Sequence, residues 1–173
     1  MQNVKIYTDG AARGNPEGPG GYGTVVHFVD RHGQLHEREY SGGYIQTTNN
    51  RMELMAVVVG LEALKKPCMV EIFSDSKYVT EAFNQGWIWN WQMKGWKKSD
   101  KKAVKNIDLW QRLLIAAKPH KLVFNWIKGH DGHPENERCD KLATTAADGE
   151  PDTLIEDEGY ERMEDIFDGQ END

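Results

Sequence analysis

Four acidic residues occupy positions that favour chemistry over mere solubility. Asp9 ends an alternating apolar and polar stretch and precedes a glycine, and Asp75 follows the strand-like stretch at 70–74. Glu53 lies among the apolar residues of a predicted helix, and Asp140 lies early in the last predicted helix. Carboxylates that share a partly buried site repel one another and resist ionising unless a cation neutralises them. If the four side chains converge, they therefore predict a cation site.

The oxygen ligands of such a site favour Mg²⁺ or Mn²⁺. Two such ions, about 3.5 to 4 Å apart, can clamp the attacking and leaving oxygens of an in-line displacement at phosphorus. The four acids together therefore predict metal-assisted hydrolysis of a phosphodiester. Taken singly, each acid also fits an ordinary role: a turn residue (Asp9), a first-turn helix residue (Glu53), a helix N-cap (Asp75) or a solvated helix residue (Asp140).

A histidine near the last acid is a candidate proton carrier. His130 lies in a glycine-rich loop, and an imidazole titrates near neutrality. Without the neighbouring acids, an exposed loop histidine is an equally good interpretation. His130, His133 and Cys139 could instead indicate zinc, but Pro134 and helix formation around Cys139 leave no obvious pair of ligand arms.

The hydrophobic pattern predicts the elements that must position these residues. The first three strands form an antiparallel meander, and helical crossovers return the fourth and fifth strands parallel to the first. The predicted fold is α/β, with a five-stranded mixed sheet and helices on both faces. Chain direction then brings all four acids and the loop at 129–133 to the edge at the carboxyl ends of the parallel strands. The predicted elements are strands at 4–10, 24–29, 35–45, 69–74 and 122–127, and helices at about 50–66 (capped by Thr47 or Thr48), 76–85, 106–118 and 134–149.

One glycine motif has the spacing of a dinucleotide-binding loop. Gly18, Gly20 and Gly23 match it within the stretch at 10–23, which is too rich in glycine and proline to be a helix. The motif indicates a cofactor only where it leads from a strand into a helix. Here it leads into the β-branched and aromatic stretch at 24–29, so a nucleotide cofactor is disfavoured.

Length and charge define one domain and a tail. A chain of 173 residues with 38% hydrophobic content suits one buried core. Residues 149–173 carry 11 acids against Arg162 alone, and since the whole chain carries −7, residues 1–148 carry +3. We predict a domain at 1–148 and a flexible acidic tail at 149–173. Tyr160, Met163 and Phe167 stand at helical spacing, so a short amphipathic helix is the alternative there.

The remaining composition indicates a soluble cytoplasmic monomer. Cys68 and Cys139 are the only cysteines, which suits a reducing compartment, although a disulfide between them is conceivable in an oxidising one. No leader pattern and no stretch of about 20 apolar residues stands in the chain, so no membrane association is expected. No segment resembles an exposed apolar interface.

Tryptophan and lysine are concentrated in one segment. Residues 87–96 contain four tryptophans, and residues 94–105 contain six lysines against Asp100. Tryptophans at this spacing usually pack in a core, and a lysine run is usually a solvated face. Both can hold here while the lysines face a phosphate backbone, which an acidic site alone would repel.

Several motifs closely resemble type 1 ribonuclease H of the bacterial kind. The resemblance runs in order from Val4 to Ala147. It implies a ribonuclease H-like fold and an enzyme that cuts the RNA strand of RNA/DNA hybrids with two Mg²⁺ ions, leaving 5′-phosphate and 3′-hydroxyl ends. The motifs are Tyr7-Thr8-Asp9-Gly10, Gly14-Asn15-Pro16, Thr47 to Leu54, Ser74-Asp75-Ser76, Lys128-Gly129-His130 and Asn136 to Asp140.

The resemblance also implies a role for each site residue. The four acids match metal ligands, with Asp9 between the two ions, and His130 matches a histidine that assists proton movement or product release. Lys77 stands where some relatives have glutamine, and Gln92 and Met93 interrupt a stretch that is more basic in some relatives. Hybrid affinity is therefore expected to be weaker or differently placed. The implied substrate contacts are Asn15, Asn49 and Asn50 in the minor groove, Thr48 and Asn106 at a DNA phosphate, and a basic protrusion at 87–105 with Trp87, Lys94, Lys97 and Lys98, besides Lys77.

Two other function classes stay open at the level of sequence. One is a nuclease or strand-transfer enzyme acting on duplex DNA, and the other is a non-catalytic nucleic-acid module with a vestigial site. The full acidic set with His130 argues against the module, while Asn15 and the stretch at 47–53 argue for a hybrid substrate. The resemblance does not cover the tail, which we expect either to compete with nucleic acid for the lysine segment or to recruit a protein.

Overall fold

A computed structural model describes residues 1–14 and 18–160. Its sheet has five strands in the order β3-β2-β1-β4-β5. β1 pairs antiparallel with β2, and β2 antiparallel with β3, whereas β4 is parallel to β1 and β5 parallel to β4. The predicted mixed sheet is therefore confirmed. The strands are β1 Gln2–Ala12, β2 Gly18–Val29, β3 Leu35–Thr47, β4 Cys68–Ser74 and β5 Lys121–Trp126.

Helices cover both faces of this sheet. Their bounds are α1 Asn49–Glu62, α2 Lys77–Asn84, α3 Trp87–Met93, α4 Ile107–Ala117 and α5 Pro134–Ala147, followed by a 3₁₀ turn at Pro151–Thr153. A side chain added at Gly10 would meet α1, whereas one added at Gly23 would meet α5. Gly23 pairs with Asp9, so these two residues face the same side of the sheet, and Gly10, the next residue of β1, faces the other side. Helices α1 and α5 therefore lie on opposite faces.

The glycine-rich stretch is mostly strand, which corrects the predicted loop at 10–23. β1 continues to Ala12 and β2 already begins at Gly18. The reason is cross-strand pairing, which overrides the low strand propensity of glycine. A Cβ at Gly23 would lie 2.2 Å from the carbonyl oxygen of Cys139. Glycine there lets α5 approach the sheet backbone closely.

Helix α1 is the central buried helix, as its apolar pattern predicted. Thr48 is its N-cap, with its side-chain oxygen accepting from the Arg51 N–H at 3.2 Å. The helix ends at Glu62, four residues before the predicted end at 66. Pro67 disfavours helical geometry at the residue before it, and the chain must extend into β4 at Cys68.

The tryptophan segment divides between core and surface. Ile88 is fully buried, and Trp91 packs against the buried Trp110 of α4, with ring centroids 5.5 Å apart. Trp87 and Trp89 on the same short helix are 40% and 54% exposed. The expected core packing therefore applies to only part of the tryptophans, because one side of α3 packs on the core and the other faces solvent.

The chain after α5 lies against the domain at residues 150–160, which belong to the predicted acidic tail. Ile155 makes two backbone hydrogen bonds to β3: its oxygen accepts from Ile45 at 2.8 Å, and its N–H donates to Gly43 at 3.1 Å. Asp157 is buried. Met163 and Phe167, and with them the proposed amphipathic helix, lie outside the described residues.

Two further expectations concern cysteines and membranes. Cys68 and Cys139 are both free and buried, so the alternative of a disulfide is not realised. Among the described residues, every helix is too short or too polar to cross a bilayer.

Candidate active site

Three carboxylates meet at the edge of the sheet. Asp9, Glu53 and Asp75 each offer a ligand atom, and these atoms all lie within 4.8 Å of one another. The parallel pairing of β1 with β4 ends at Thr8 and Ser74, and the next residue of the chain after each of them is an aspartate. Helix α1 delivers Glu53 in its second turn. Three distant segments thus supply one acidic cluster, while Asp140, the fourth predicted acid, is not part of it.

Gly10, the residue after Asp9, allows α1 to bring Glu53 close to the other two carboxylates. A Cβ at Gly10 would lie 2.5 Å from the backbone nitrogen of Glu53 and 2.6 Å from the carbonyl carbon of Met52. Real Cβ atoms do not come so close to backbone, so any larger residue would push α1 away from β1. Gly10 therefore sets the distance between strand and helix, and with it the distance between Asp9 and Glu53.

Burial and mutual repulsion disfavour the charged forms of these acids. Burial raises the pKa of Asp9 to about 8, with the charges of Asp75 and Asp140 acting in the same direction. Burial and the charge of Asp9 raise the pKa of Glu53 well above its usual value. Burial also raises the pKa of Asp75, although a hydrogen bond from Asp9 and the charge of His130 oppose this. The cluster therefore needs a cation in order to ionise fully near neutral pH.

The donor set fits a divalent cation. The Oε2 atom of Glu53 is buried and has no hydrogen-bond partner among the described residues. An unsatisfied buried carboxylate oxygen is costly unless a ligand completes it. Oxygen donors alone match hard cations such as Mg²⁺.

Asp140 and His130 line the same open pocket as the three acids. His130 has a left-handed backbone conformation with φ 56°, which is uncommon outside glycine. A Cβ at the preceding Gly129 would lie 2.7 Å from Oδ2 of Asp75, so the loop packs directly against that carboxylate. All five residues predicted to be catalytic thus surround one pocket.

The predicted substrate residues other than those of the basic protrusion fall into two groups, with Asn15 apart from both. Asn49, Asn50 and Lys77 line the pocket beside the acids. Thr48 and Asn106 are the N-caps of α1 and α4, and Asn106 has φ 62°. Asn15 lies outside the described residues.

The predicted basic protrusion is separate from the pocket. Trp87 lies on α3, and Lys94, Lys97 and Lys98 lie in the turns that follow it. Lys98 makes a loose ion pair with Asp100 at 3.9 Å. None of these four residues lines the acidic pocket, so they form a distinct exposed surface.

The structure adds residues that the sequence analysis missed. Trp126 donates from its indole nitrogen to the backbone oxygen of Asp75 at 3.0 Å, and Lys77 Nζ lies 5.1 Å from the centre of the Trp126 ring. Tyr78 also lines the pocket. Parallel pairing of β4 with β5 was the available signal for Trp126, since the ends of neighbouring strands meet.

The zinc alternative finds no support in the described residues. Across residues 1–14 and 18–160, the only group of three or more potential ligands is the cluster of Asp9, Glu53 and Asp75. Cys139 is fully buried, and burial raises the pKa of its thiol, which disfavours the thiolate that zinc requires.

The sheet order and the acidic pocket at its edge define the class of ribonuclease H-like α/β proteins. Comparisons with known proteins narrow this class. A sequence model of the family described as RNase H matches residues 1–148. A ribonuclease H from Lachnoclostridium phytofermentans is 66% identical over 146 residues, which cover 84% of this chain and 92% of the relative. One from Escherichia coli is 52% identical over 161 residues, covering 93% of this chain and 97% of the relative.

Solved structures agree with the sequence relatives. The crystal structure of LC9-RNase H1, described as a type 1 RNase H with the type 2 active-site motif, has a TM-score of 0.77 at 32% identity and covers 85% of this chain and 72% of that one. LC11-RNase H1 in complex with an RNA/DNA hybrid has a TM-score of 0.57 at 29% identity, covering 84% and 96%. The chain belongs to the ribonuclease H family, and it is therefore an enzyme.

The Escherichia coli relative also corrects the extent of the resemblance. A match to 161 residues of this chain is longer than the 148 residues before the acidic tail. The similarity therefore extends into the tail, which we had expected to be unmatched.

Proposed function

We propose that this chain hydrolyses phosphodiester bonds in the RNA strand of RNA/DNA hybrids and leaves 5′-phosphate and 3′-hydroxyl ends. One observation carries the proposal: three carboxylates from distant segments lie within 4.8 Å of one another, in a chain of the ribonuclease H family. The hybrid bound to LC11-RNase H1 supports the choice of substrate.

Asp9, Glu53, Asp75 and Asp140 would hold two Mg²⁺ ions, for which Mn²⁺ is a plausible substitute. When bound, such ions activate a water molecule and neutralise charge that develops on the phosphate. Asp9, Glu53 and Asp75 each offer a ligand atom within 4.8 Å of the others, so all three would share in holding the ions. The buried Oε2 of Glu53, which has no hydrogen-bond partner among the described residues, is a ligand atom that would contact a cation directly.

His130 would carry a proton during the reaction or assist product release. Its loop packs against Asp75 through Gly129, so the imidazole lies at the rim of the acidic pocket. A histidine at that place can exchange protons with solvent and with a phosphate in the pocket.

Substrate binding would use neutral polar groups and Lys77 near the acids, and further basic groups farther away. Asn49 and Asn50 lie at the α1 side of the pocket, where they would contact the minor groove together with Asn15. A protein tells RNA from DNA in that groove by the 2′-hydroxyl. Thr48 and Asn106 would bind a phosphate of the DNA strand, while Trp87, Lys94, Lys97 and Lys98 would hold the backbone beyond it.

We further propose that residues 1–148 are the catalytic domain of a monomeric cytoplasmic enzyme. The match of the RNase H family model to residues 1–148 supports the bounds of this domain. Residues 149–173 would form an acidic tail that competes with nucleic acid for the lysine segment or recruits a protein.

The deciding experiment is cleavage of an RNA/DNA hybrid labelled on either strand, first with Mg²⁺ and then with EDTA. Cutting of the RNA strand alone, and only with metal, is the expected result. RNA/RNA and DNA/DNA duplexes serve as comparisons, and efficient cutting of duplex DNA would contradict the proposal. Tight binding without cutting would instead indicate a non-catalytic module.

A further inference from the structure

A buried arginine joins three segments that are distant in sequence. Arg51 of α1 is 2% exposed. Its Nε and Nη2 atoms donate to the two carboxylate oxygens of Asp157 at 2.7 and 3.0 Å. Its Nη1 and Nη2 atoms donate to Asp108 at 2.9 and 2.7 Å. The side chain of Asp108 is 46% exposed, whereas that of Asp157 is only 3% exposed, so Asp157 is the buried partner.

Asp157 belongs to the segment after α5, and this segment contributes no residue to the lining of the acidic pocket. A Cβ at Gly159 would lie 1.8 Å from Oδ2 of Asp108 and 2.7 Å from Nη2 of Arg51. The segment therefore closes directly over the ion pair. Oδ2 of Asp157 also accepts a 2.7 Å hydrogen bond from the buried hydroxyl of Thr47.

The same arginine orients the side chain of Asn106. Arg51 Nη1 donates to Asn106 Oδ1 at 3.3 Å, and Asn106 Nδ2 donates to the Tyr78 hydroxyl at 3.0 Å. A guanidinium has only donors, so the carboxamide must turn its oxygen toward Arg51 and its NH₂ group toward Tyr78. The indole of Trp110 also donates to the Tyr78 hydroxyl, at 3.1 Å. Arg51 thus fixes which end of Asn106 a ligand would meet.

Asp157 touches the neighbours of both residues that would hold the DNA phosphate. It binds Thr47, which precedes Thr48 in the chain, and Arg51, which contacts Asn106 and donates its backbone N–H to Thr48. The guanidinium of Arg51 already donates to two carboxylates, so it is not available to bind a phosphate. A phosphate there would be bound by the neutral donors of Thr48 and Asn106, and neutral donors depend on exact placement.

We propose that Asp157 is a positioning residue for substrate, which acts through Arg51 and Thr47 to hold Asn106 and Thr48 in place for a phosphate of the bound nucleic acid. This inference rests on the proposed function. It assigns a role in substrate binding to the segment at 150–160, beyond the four acids and the lysine surface.

The test is the variant Asp157→Asn, which keeps the shape of the side chain but removes its charge. KM for the hybrid should rise about tenfold, the size of one lost hydrogen bond to a charged group, while kcat stays unchanged because the metal site is untouched. Assays belong at a temperature where circular dichroism shows every variant folded. The exposed neighbour Glu156 offers a matched control, and Glu156→Gln should leave KM unchanged.

A double-mutant cycle separates positioning from general destabilisation. In an Asn106→Ala background, Asp157→Asn should raise KM no further, because the group through which it acts is already gone. Independent effects that multiply would overturn the proposal, as would an Asp157→Asn variant that loses stability but keeps the KM of the parent.

Two additions keep the test decisive. Should Asp157→Asn fail to fold, Gly159→Ala disturbs the same closure without changing a charge and should produce the same rise in KM. Hybrid affinity in an Asp9→Asn background measures binding without cleavage, and Asp157→Asn should weaken it by a similar factor. A wild-type chain that does not cut hybrids would refute the proposed function, whereas cutting that is unaffected by Asp157→Asn or Gly159→Ala would refute only the positioning role.

Discussion

Gly10 lies so close to the backbone of Glu53 that a Cβ atom would stand 2.5 Å from the Glu53 nitrogen. The first strand and the central helix can therefore lie this close together only because Gly10 has no Cβ atom. Because Asp9 and Glu53 flank this contact, the separation of the two carboxylates depends on it.

Replacing Gly10 with alanine should lower both stability and metal-dependent cleavage. Overpacking of this kind costs roughly 1–3 kcal/mol in free energy of unfolding, and urea denaturation measures it. Cleavage at saturating Mg²⁺ should fall further than the loss of folded protein explains. Gly60→Ala is the matched control, since its Cβ would meet side chains of Ile6 and Thr24 at the other end of the same helix. Equal loss of cleavage in the two variants would contradict the argument.

Replacing Asp9 with asparagine should abolish cleavage while hybrid binding persists. The loss should exceed about a hundredfold, since even residues that only support metal ligands commonly cost 10- to 100-fold. Labelled-hybrid cleavage and fluorescence anisotropy measure the two quantities. Asp30→Asn, at a distant turn, is the control. A variant that still cuts near the wild-type rate would remove Asp9 from the metal site.

Binding of Mg²⁺ should release protons at neutral pH. In the metal-free protein the pKa of Asp9 is raised from 3.8 to about 8, so this carboxyl is largely protonated at pH 7 and must lose its proton when a cation binds. Proton release should diminish above pH 8. Calorimetry in buffers of different ionisation enthalpy counts the protons, and Asp9→Asn should release fewer.

The same shift gives a stability prediction with a definite sign. A raised folded-state pKa means that the folded metal-free protein prefers the protonated acid, so this contribution is present at low pH and is lost as pH rises from about 4 toward 8. Thermal unfolding of the metal-free protein should therefore show decreasing stability across that window, and saturating Mg²⁺ should reverse the decrease. A stability profile unaffected by Mg²⁺ would contradict the cation site.

Replacing Lys77 with glutamine should weaken hybrid binding mainly through electrostatics. Lys77 lines the pocket and lies over the Trp126 ring at 5.1 Å. Removing one phosphate contact should reduce the slope of log affinity against log salt by about one. Lys66→Gln, at the exposed turn before β4, is the control for net charge. An unchanged slope would place Lys77 outside the binding surface.

Periodicity and chain direction were enough to predict the sheet and the meeting of the acids. Asp9 and Asp75 each follow a strand-like pattern, and parallel strands bring their ends together whatever the detailed packing. The same patterns failed at 10–23, because no local propensity shows that glycine-rich residues will pair across strands under closely packed helices. Arg51 gave a signal that was not used: a cation inside an apolar helix requires buried acidic partners. The role of Asp157 could not be predicted from the neighbouring sequence, because the tail contains many other acidic residues.

The bridge between Ile155 and β3 has a consequence for how copies of the protein meet one another. β3 is an edge strand of 13 residues, and its outer backbone groups could pair with an edge strand of another molecule. Ile155 occupies the outer backbone groups of Gly43 and Ile45 on that edge. The segment after α5 therefore also protects part of this edge from strand pairing with another molecule.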